Sequence, residues 1–239
     1  MRGFIDLHSH FVASIDDGAR NVTEGAAMLA ELQRVGFDQV IATPHMRPGM
    51  FDNAKSALEE AYHSTLSQLP SGLPNTGLAS EHFLDDVVLG RLLSGQGLPY
   101  PGGKAVLIEF PSDGFPIGIE RALSQIRRQG LLPVIAHPER YRNLWRNADA
   151  LERVLDVGAA ALLDTAALVG KYGSEPRRAA LKFLEMGFYH AACSDVHRPA
   201  DVADVERGMR VIAKEYGDEE LELLFSSGPR ELLAGRLPE

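Results

Sequence analysis

The chain reads as an α/β protein, a distorted (β/α)7 barrel with its functional groups at the C-terminal ends of the strands. Two patterns predict this. Seven short β-rich runs, beginning near Phe4, Gln39, Gly77, Ala105, Leu132, Ala160 and His190, alternate with longer stretches of helical periodicity, as parallel strands joined by helical crossovers do. Seven times, too, an apolar run ends on His, Asp or Glu: IDLHSH at His8 and His10, ATPH at His45, ASEH at Glu81, LIEF at Glu109, IAHPER at His137, LLDT at Asp164, and ACSDVH at Asp195 and His197. In a closed or nearly closed barrel those ends face a common mouth, where barrel enzymes place their sites.

The helical stretches carry start and stop signals in order. Asn21 to Gly36 opens on a polar cap, Asn21 or Thr23, sets Ala26, Leu29, Ala30 and Leu32 near one face and stops at glycine. Pro116 to Gly130 runs from a starting proline through Ile119, Leu123 and Ile126 to a terminal glycine. Asp149 to Gly158 and Pro176 to Gly187 repeat the pattern, and Asp218 to Glu239 predicts one or two closing helices with Pro229 in a first turn. No linker or low-complexity segment divides the chain, so residues 1–239 read as one domain.

Composition narrows the function. A net charge of -9 argues against nucleic acid or an anionic membrane as the main partner, because no basic patch is present to neutralise phosphates. No segment approaches the ~20 apolar residues of a membrane span, and no basic-then-apolar leader opens the chain. A single cysteine, Cys193, excludes an internal disulfide and fits a reducing cytoplasm.

Each donor has a plain structural explanation on its own. His-x-His pairs occur by accident, Asp16 and Asp17 before Gly18 read as a turn, and His45 after Pro44 reads as a hydrogen-bonded strand end. Glu81 and Glu109 are harder to dismiss, because a carboxylate ending an apolar run must be paired, protonated or metal-bound. Alternation sets His8 and His10 on one side of the first strand, with Leu7 and Ser9 opposite, and Asp195 and His197 repeat that spacing. Together the donors point to a cluster of divalent metals.

Those residues also resemble a known family. FIDLHSHFVASIDDGA, VIATPHMRPGMF, LIEFP, VIAHPERY, LVGKYG and CSDVH, spread over residues 4 to 197, resemble the polymerase and histidinol phosphatase (PHP) superfamily. Within it they are most similar to the metal-dependent bacterial tyrosine phosphatases of the CpsB/CapC type, which regulate capsule and exopolysaccharide synthesis. The resemblance implies three divalent metals, often manganese, although iron, zinc or cobalt also suit such donors. His8, His10, Glu81 and Asp195 would hold the first; Glu81, Glu109 and His137 the second; Asp17, His45 and His197 the third. It assigns Asp17 rather than Asp16, by its position before the glycine, and leaves Asp6 and Asp164 to orient ligand imidazoles.

Such a cluster supplies hydroxide from a bridging water near neutral pH and neutralises phosphoryl oxygens, which suits phosphate monoester hydrolysis. Acid help, where needed, falls to His45 or His197. Arg140, three residues after His137, would clamp phosphate as a bidentate donor, its plain alternative being a salt bridge to a nearby carboxylate. The family's usual residues after CSDVH are absent; Arg198 follows His197 directly and is one candidate for a second phosphate contact, Arg47 the other. Phe11, Phe51, Phe110, Phe115, Tyr141 and Trp145 are candidates to grip a tyrosine ring. Cys193 is a small buried residue rather than a nucleophile, because Asp195 would raise its thiol pKa, and His63, His82 and His190 lie off the mouth. The resemblance implies a cytoplasmic phosphatase for the phosphotyrosine tail of a bacterial tyrosine kinase. Rival readings are a phosphomonoesterase of histidinol-phosphatase type, a nucleic-acid phosphodiesterase, which the acidic charge opposes, and a metal-binding domain without turnover.

Overall fold

The computed structural model describes residues 3–238. Strands β1 (Phe4–Ser9), β2 (Phe37–Ala42) and β4 (Asn75–Leu78) form one parallel sheet, in the order β1-β2-β4. A second parallel sheet runs β3 (His45–Met46), β5 (Glu81–Phe83), β6 (Ala105–Glu109), β7 (Leu132–Ala136), β8 (Ala160–Asp164) and β9 (Ala191–Cys193). The seven expected runs survive as courses, because β2 and β3 are one course broken at Thr43 and Pro44, and β4 and β5 another broken at Ala79 and Ser80. Pro44 has no N–H to give a ladder. The two breaks are stapled together instead, Ser80 Oγ donating to the Pro44 carbonyl at 2.7 Å. At the remaining seam, the N–H of Asp195 donates to the His8 carbonyl at 2.9 Å and that of His10 to the Val196 carbonyl at 3.1 Å.

Helices α1 (Val22–Arg34), α2 (Lys55–Leu66), α3 (Asp86–Leu93), α4 (Ile119–Arg128), α5 (Asp149–Asp156), α6 (Ser174–Glu185) and α7 (Val202–Glu215) surround the strands, followed by α8 (Asp218–Glu222) and α9 (Gly228–Leu233). The Asn21 side chain caps α1 by accepting from Glu24 N–H at 3.0 Å. Helix α4 starts three residues later than Pro116 predicts, because Gly118 adopts a left-handed conformation with φ of 81° immediately before it. Helix α6 starts earlier, at Ser174, with Pro176 inside its first turn, where no N–H partner is needed.

Strand alternation divides the buried side chains into two cores. Leu7, Leu107, Val134, Leu162 and Cys193 fill the barrel interior, which Leu232 of α9 also joins. Val40, Ile108, Ile135 and Leu163 face outward onto α1, α4, α5 and α6 through Leu29, Leu123, Leu151 and Phe183. No helix among the described residues is long and apolar enough to cross a membrane.

His82 shows how tightly the outer layer is specified. Its ring lies off the mouth, as alternation from Glu81 requires, with Nδ1 2.9 Å from the Leu107 carbonyl and Nε2 accepting the Leu98 N–H at 3.0 Å. That pairing needs the neutral ring, and burial pushes its pKa down to about 4 from 6.5. Between those values the unfolded chain binds a proton that the folded one refuses, so stability falls as pH drops from 6.5 towards 4. The loss attributable to this residue is about 3 kcal/mol. We expect His82→Gln, which keeps one donor and one acceptor, to lose less stability than the parent over that window in urea unfolding; parallel acid profiles would contradict this.

Candidate metal centre

Period-two alternation brings Glu109 above Leu107, Asp164 above Leu162 and Asp195 above Cys193 at the mouth of the barrel. Two sites do not follow it. His137 adjoins the interior residue Ala136, and β1 carries its donors out of step with Ile5 and Leu7. Backbone irregularity accompanies both departures: His137 has φ of 33°, and the pairing of β1 with β2 slips between Asp6 and Ser9. Asp195 is also left-handed, with φ of 43°. Non-glycine residues held there cost of order 1–3 kcal/mol each and persist where the surroundings over-determine them.

The first expected set converges. His8 Nε2 lies 3.2 Å from Glu81 Oε2 and 3.3 Å from Asp195 Oδ1; His10 Nε2 lies 3.6 and 3.3 Å from the same atoms. The two imidazole nitrogens are 3.1 Å apart. Donors about 2.0–2.2 Å from a shared ion sit roughly 2.8–3.6 Å from their neighbours across octahedral and tetrahedral geometries. In the second set, His137 Nε2 lies 3.0 Å from Glu81 Oε1. Glu109 falls with His45 and Glu81, while His137 falls with His8 and Glu81, so Glu81 is common to both groups. In the third, Asp17 Oδ1 lies 3.3 Å from His45 Nε2 and 3.5 Å from His197 Nε2, and His10 joins them.

Asp16 has a different place from Asp17. Its Oδ2 is 2.8 Å from His10 Nδ1 and accepts the His45 N–H at 3.1 Å, while Oδ1 accepts the Gly18 N–H at 2.9 Å. It orients one imidazole and anchors the strand bearing another. A Cβ at Gly18 would sit 2.1 Å from the His10 carbonyl oxygen, so only glycine lets this loop close on β1. Asp6 and Asp164, expected to orient imidazoles, do neither. Asp6 accepts from the N–H of His8 at 3.3 Å and of Ser194 at 2.9 Å, which pins the β1/β9 seam. Asp164 receives Arg140 at 3.3 Å.

Charge balance is set by the same contacts. Burial opposes ionisation of Glu81, but His8 and His45 hold its carboxyl well below the usual range. Burial likewise opposes the charge on His45, yet Glu81, Asp17 and Glu109 raise its pKa to about 11; against the same opposition, Asp195 and Asp17 raise His197 to about 9. His137 goes the other way, down to about 4 through burial and Arg140. Glu109 is pushed up to about 8 by burial and by Glu81. Five buried polar atoms here have no hydrogen-bond partner among the described residues: Nδ1 of His8, His45 and His137, Glu109 Oε2 and Asp195 Oδ1. His45 Nδ1 lies 3.0 Å from Glu81 Oε2 but is not aligned to bond it. Orphaned acceptors and convergent imidazoles in one place fit cation binding better than a closed hydrogen-bond network.

The family model for capsular polysaccharide synthesis proteins of the CpsB/CapC type matches residues 4–234. The chain belongs to this family. It is 30% identical to tyrosine-protein phosphatase YwqE of Bacillus subtilis (strain 168) over 218 residues, 90% of this chain and 86% of that protein. It is 28% identical to tyrosine-protein phosphatase CpsB of Streptococcus pneumoniae, over 98% of this chain and 99% of that one. A crystal structure from work on YwqE and CpsB, described as unique metal-dependent tyrosine phosphatases, superposes with a TM-score of 0.89 at 28% identity, covering 98% of this chain and 96% of that one.

In this CpsB/CapC chain the mouth opens beside Glu109 and His137 into a cleft of about 400 Å³, whose walls include Phe83, Phe110, Tyr141, Trp145 and Tyr172. Arg47 and Arg140 line it. The Arg47 guanidinium lies 4.1 Å above the Phe83 ring and that of Arg140 lies 4.6 Å from the Tyr172 ring centre. Arg140 Nη1 also pairs with Asp195 Oδ2 and Asp164 Oδ2, so the salt-bridge alternative is met, by Asp195 and Asp164 rather than by Glu139. Arg198 is turned away from the cleft: it donates to the carbonyls of Asp17, Gly18 and His197, strapping the Asp16–Gly18 loop. Phe11 is fully buried, and Phe51 stacks on His45 at 5.3 Å. Phe83 and Tyr172 were not singled out by sequence; Phe83 sits two residues past Glu81, the spacing that could have found it. Tyr172 lies inside the LVGKYG stretch.

Removing the Asp16 carboxylate strands the His45 and Gly18 N–H groups and His10 Nδ1. We expect Asp16→Ala to lower unfolding free energy by about 2–4 kcal/mol in urea titration of the metal-free protein, more than Asp17→Ala at the exposed position beside it. Equal effects would show that Asp16 anchors nothing.

Proposed function

We propose that the chain is a metal-dependent phosphotyrosine-protein phosphatase. The observation carrying this is the junction of a donor-lined mouth with an aromatic cleft containing two arginines. We assign His8, His10, Glu81 and Asp195 to one divalent ion, Glu81, Glu109 and His137 to a second, and Asp17, His45 and His197 to a third, manganese being our choice of metal. Bound ions of this kind supply hydroxide at neutral pH and offset phosphoryl charge.

The chain's own residues do the rest. Arg140 is held through Nη1, which leaves Nη2 and Nε to hydrogen-bond phosphoryl oxygens, and Arg47, over Phe83 in the same cleft, supplies a second positive charge. Phe83, Tyr141, Trp145 and Tyr172 give a phenyl ring flat surfaces and keep water from it. A phenolate with a pKa of about 10 leaves with limited acid help, so neither His45 nor His197, both assigned as metal ligands, has to keep a proton for it. Arg198 acts by holding the loop rather than the phosphate. We read residues 1–239 as a single domain, supported by an interior core to which both Ile5 and Leu232 contribute. A phosphorylated bacterial tyrosine kinase is our candidate substrate. A cytoplasmic site of action is supported by the single cysteine, which is buried.

Phosphotyrosine-peptide turnover should vanish in chelator and return with Mn2+, and fall at least about 10³-fold in His8→Ala or Asp195→Ala with the fold retained by circular dichroism. Cys193→Ser should keep turnover; its loss would sink the mechanism. A higher kcat/KM for histidinol phosphate than for a phosphotyrosine peptide would overturn the substrate assignment. His45 and His197, protonated at pH 7 without metal, must give up protons to become ligands. Mn2+ affinity is therefore expected to rise with pH, steeply up to about 9 where both rings are protonated and less steeply from there to about 11, with a calorimetric enthalpy that depends on buffer ionisation; a pH-independent affinity would contradict the ligand set.

A further inference from the structure

A second groove, of about 480 Å³, adjoins the aromatic cleft, and Phe83 lines both. The two are joined again through the segment after β6: Phe110 and Ser112 line the first, Pro111 the second. Leu84, Leu89, Pro116, Ile117, Ile119 and Ala122 line the groove between the starts of α3 and α4. Asp85, Asp86, Arg121 and Gln125 complete its lining, and Ile117 is its most exposed apolar side chain. Ile117 has a relative exposure of 107%, held out on the loop before left-handed Gly118. Val87, at 53%, and Met50, at 61%, are also exposed. These three lie on the segments following β6, β5 and β3, which all border one side of the mouth. Scattered exposed apolar residues need no explanation, and Val87 and Met50 stand outside the groove's lining, but a largely apolar groove continuous with a cleft, with Ile117 exposed at its edge, marks a contact surface.

We infer that this groove receives an apolar side chain flanking the phosphotyrosine of a polypeptide substrate, the phosphotyrosine itself occupying the adjoining cleft. The inference rests on the proposed phosphotyrosine-protein activity and adds to it a second point of reading, an apolar residue beside the phosphotyrosine. Phe83 is the shared wall, so a chain leaving the cleft along it passes directly over Pro111 into the groove. A free phosphomonoester has nothing to place there.

The test compares O-phosphotyrosine with phosphotyrosine peptides of one length, carrying glycine flanks or one leucine moved position by position, all with the Mn2+-loaded full chain. Leucine at one preferred position should raise kcat/KM about tenfold over the glycine peptide, mainly through KM. Ile117→Asp should abolish that gain and Ile117→Leu should keep it; because Ile117 is wholly exposed, neither change disturbs the fold. A leucine gain at no position, or one intact in Ile117→Asp, would overturn the inference. So would a dimer in sedimentation that Ile117→Asp dissociates, since the occupant would then be a second copy. Failure to turn over O-phosphotyrosine and every peptide would instead overturn the phosphotyrosine reading beneath it.

Discussion

Glu81 places a carboxylate at the buried centre of the barrel mouth, and His8, His10, His45 and His137 close on it within 3.6 Å. An ionised carboxylate out of water costs several kcal/mol unless charge or a metal answers it. The imidazoles supply that answer, and they can do so because three courses of the barrel deliver them: β1 brings His8 and His10, β3 brings His45, and the end of β7 brings His137. The break between β4 and β5 matters here. By ending one ladder at Leu78 and starting another at Glu81, the chain lifts this residue into the second sheet, where Glu81 pairs in register with His45 and with Leu107. Remove the carboxylate and the four rings have no common charge to face; remove the rings and the carboxylate must protonate.

The ring of donors was legible in the sequence because strand ends are legible: an apolar run stopping on His or Glu states both position and chemistry. Alternation then places Glu109 and Asp195 without further information. It misplaces His137, whose inward turn depends on a left-handed backbone that no propensity predicts for histidine followed by proline. Asp16 was passed over for a related reason. Two adjacent aspartates before a glycine give one turn signal, and which of them faces the ions and which holds the imidazoles depends on how the loop lies on β1. The close approach of Gly18 to the His10 carbonyl decides this, and it is a tertiary fact. What Arg198 touches was equally hidden, because two of the carbonyls it donates to belong to a loop some 180 residues away.

Glu139 shows a further layer that residue types alone conceal. Fully buried behind the mouth, it accepts the Asp164 N–H at 2.9 Å and the Tyr189 hydroxyl at 2.9 Å. Burial and the neighbouring Asp164 raise its pKa to about 8. Asp164 in turn meets Arg140. The carboxylate next to Arg140 in sequence thus reaches the arginine only through Asp164, because Pro138 starts a short 3-10 turn that sends Glu139 inward and Arg140 towards the cleft.

Arg140 therefore belongs to two systems at once. Asp195 turns Oδ1 to His8 and His10 and Oδ2 to the guanidinium, so one carboxylate positions both the two imidazoles and the arginine proposed to hold phosphate. Tyr172 fixes the guanidinium plane from the other side. Lysine could keep the charge but not the planar fork, and it would release Asp195 Oδ2 as it reached for phosphate. The geometry thus ties the side chain we propose for phosphate to the carboxylate we propose as a metal ligand, so a change at Asp195 is felt by both.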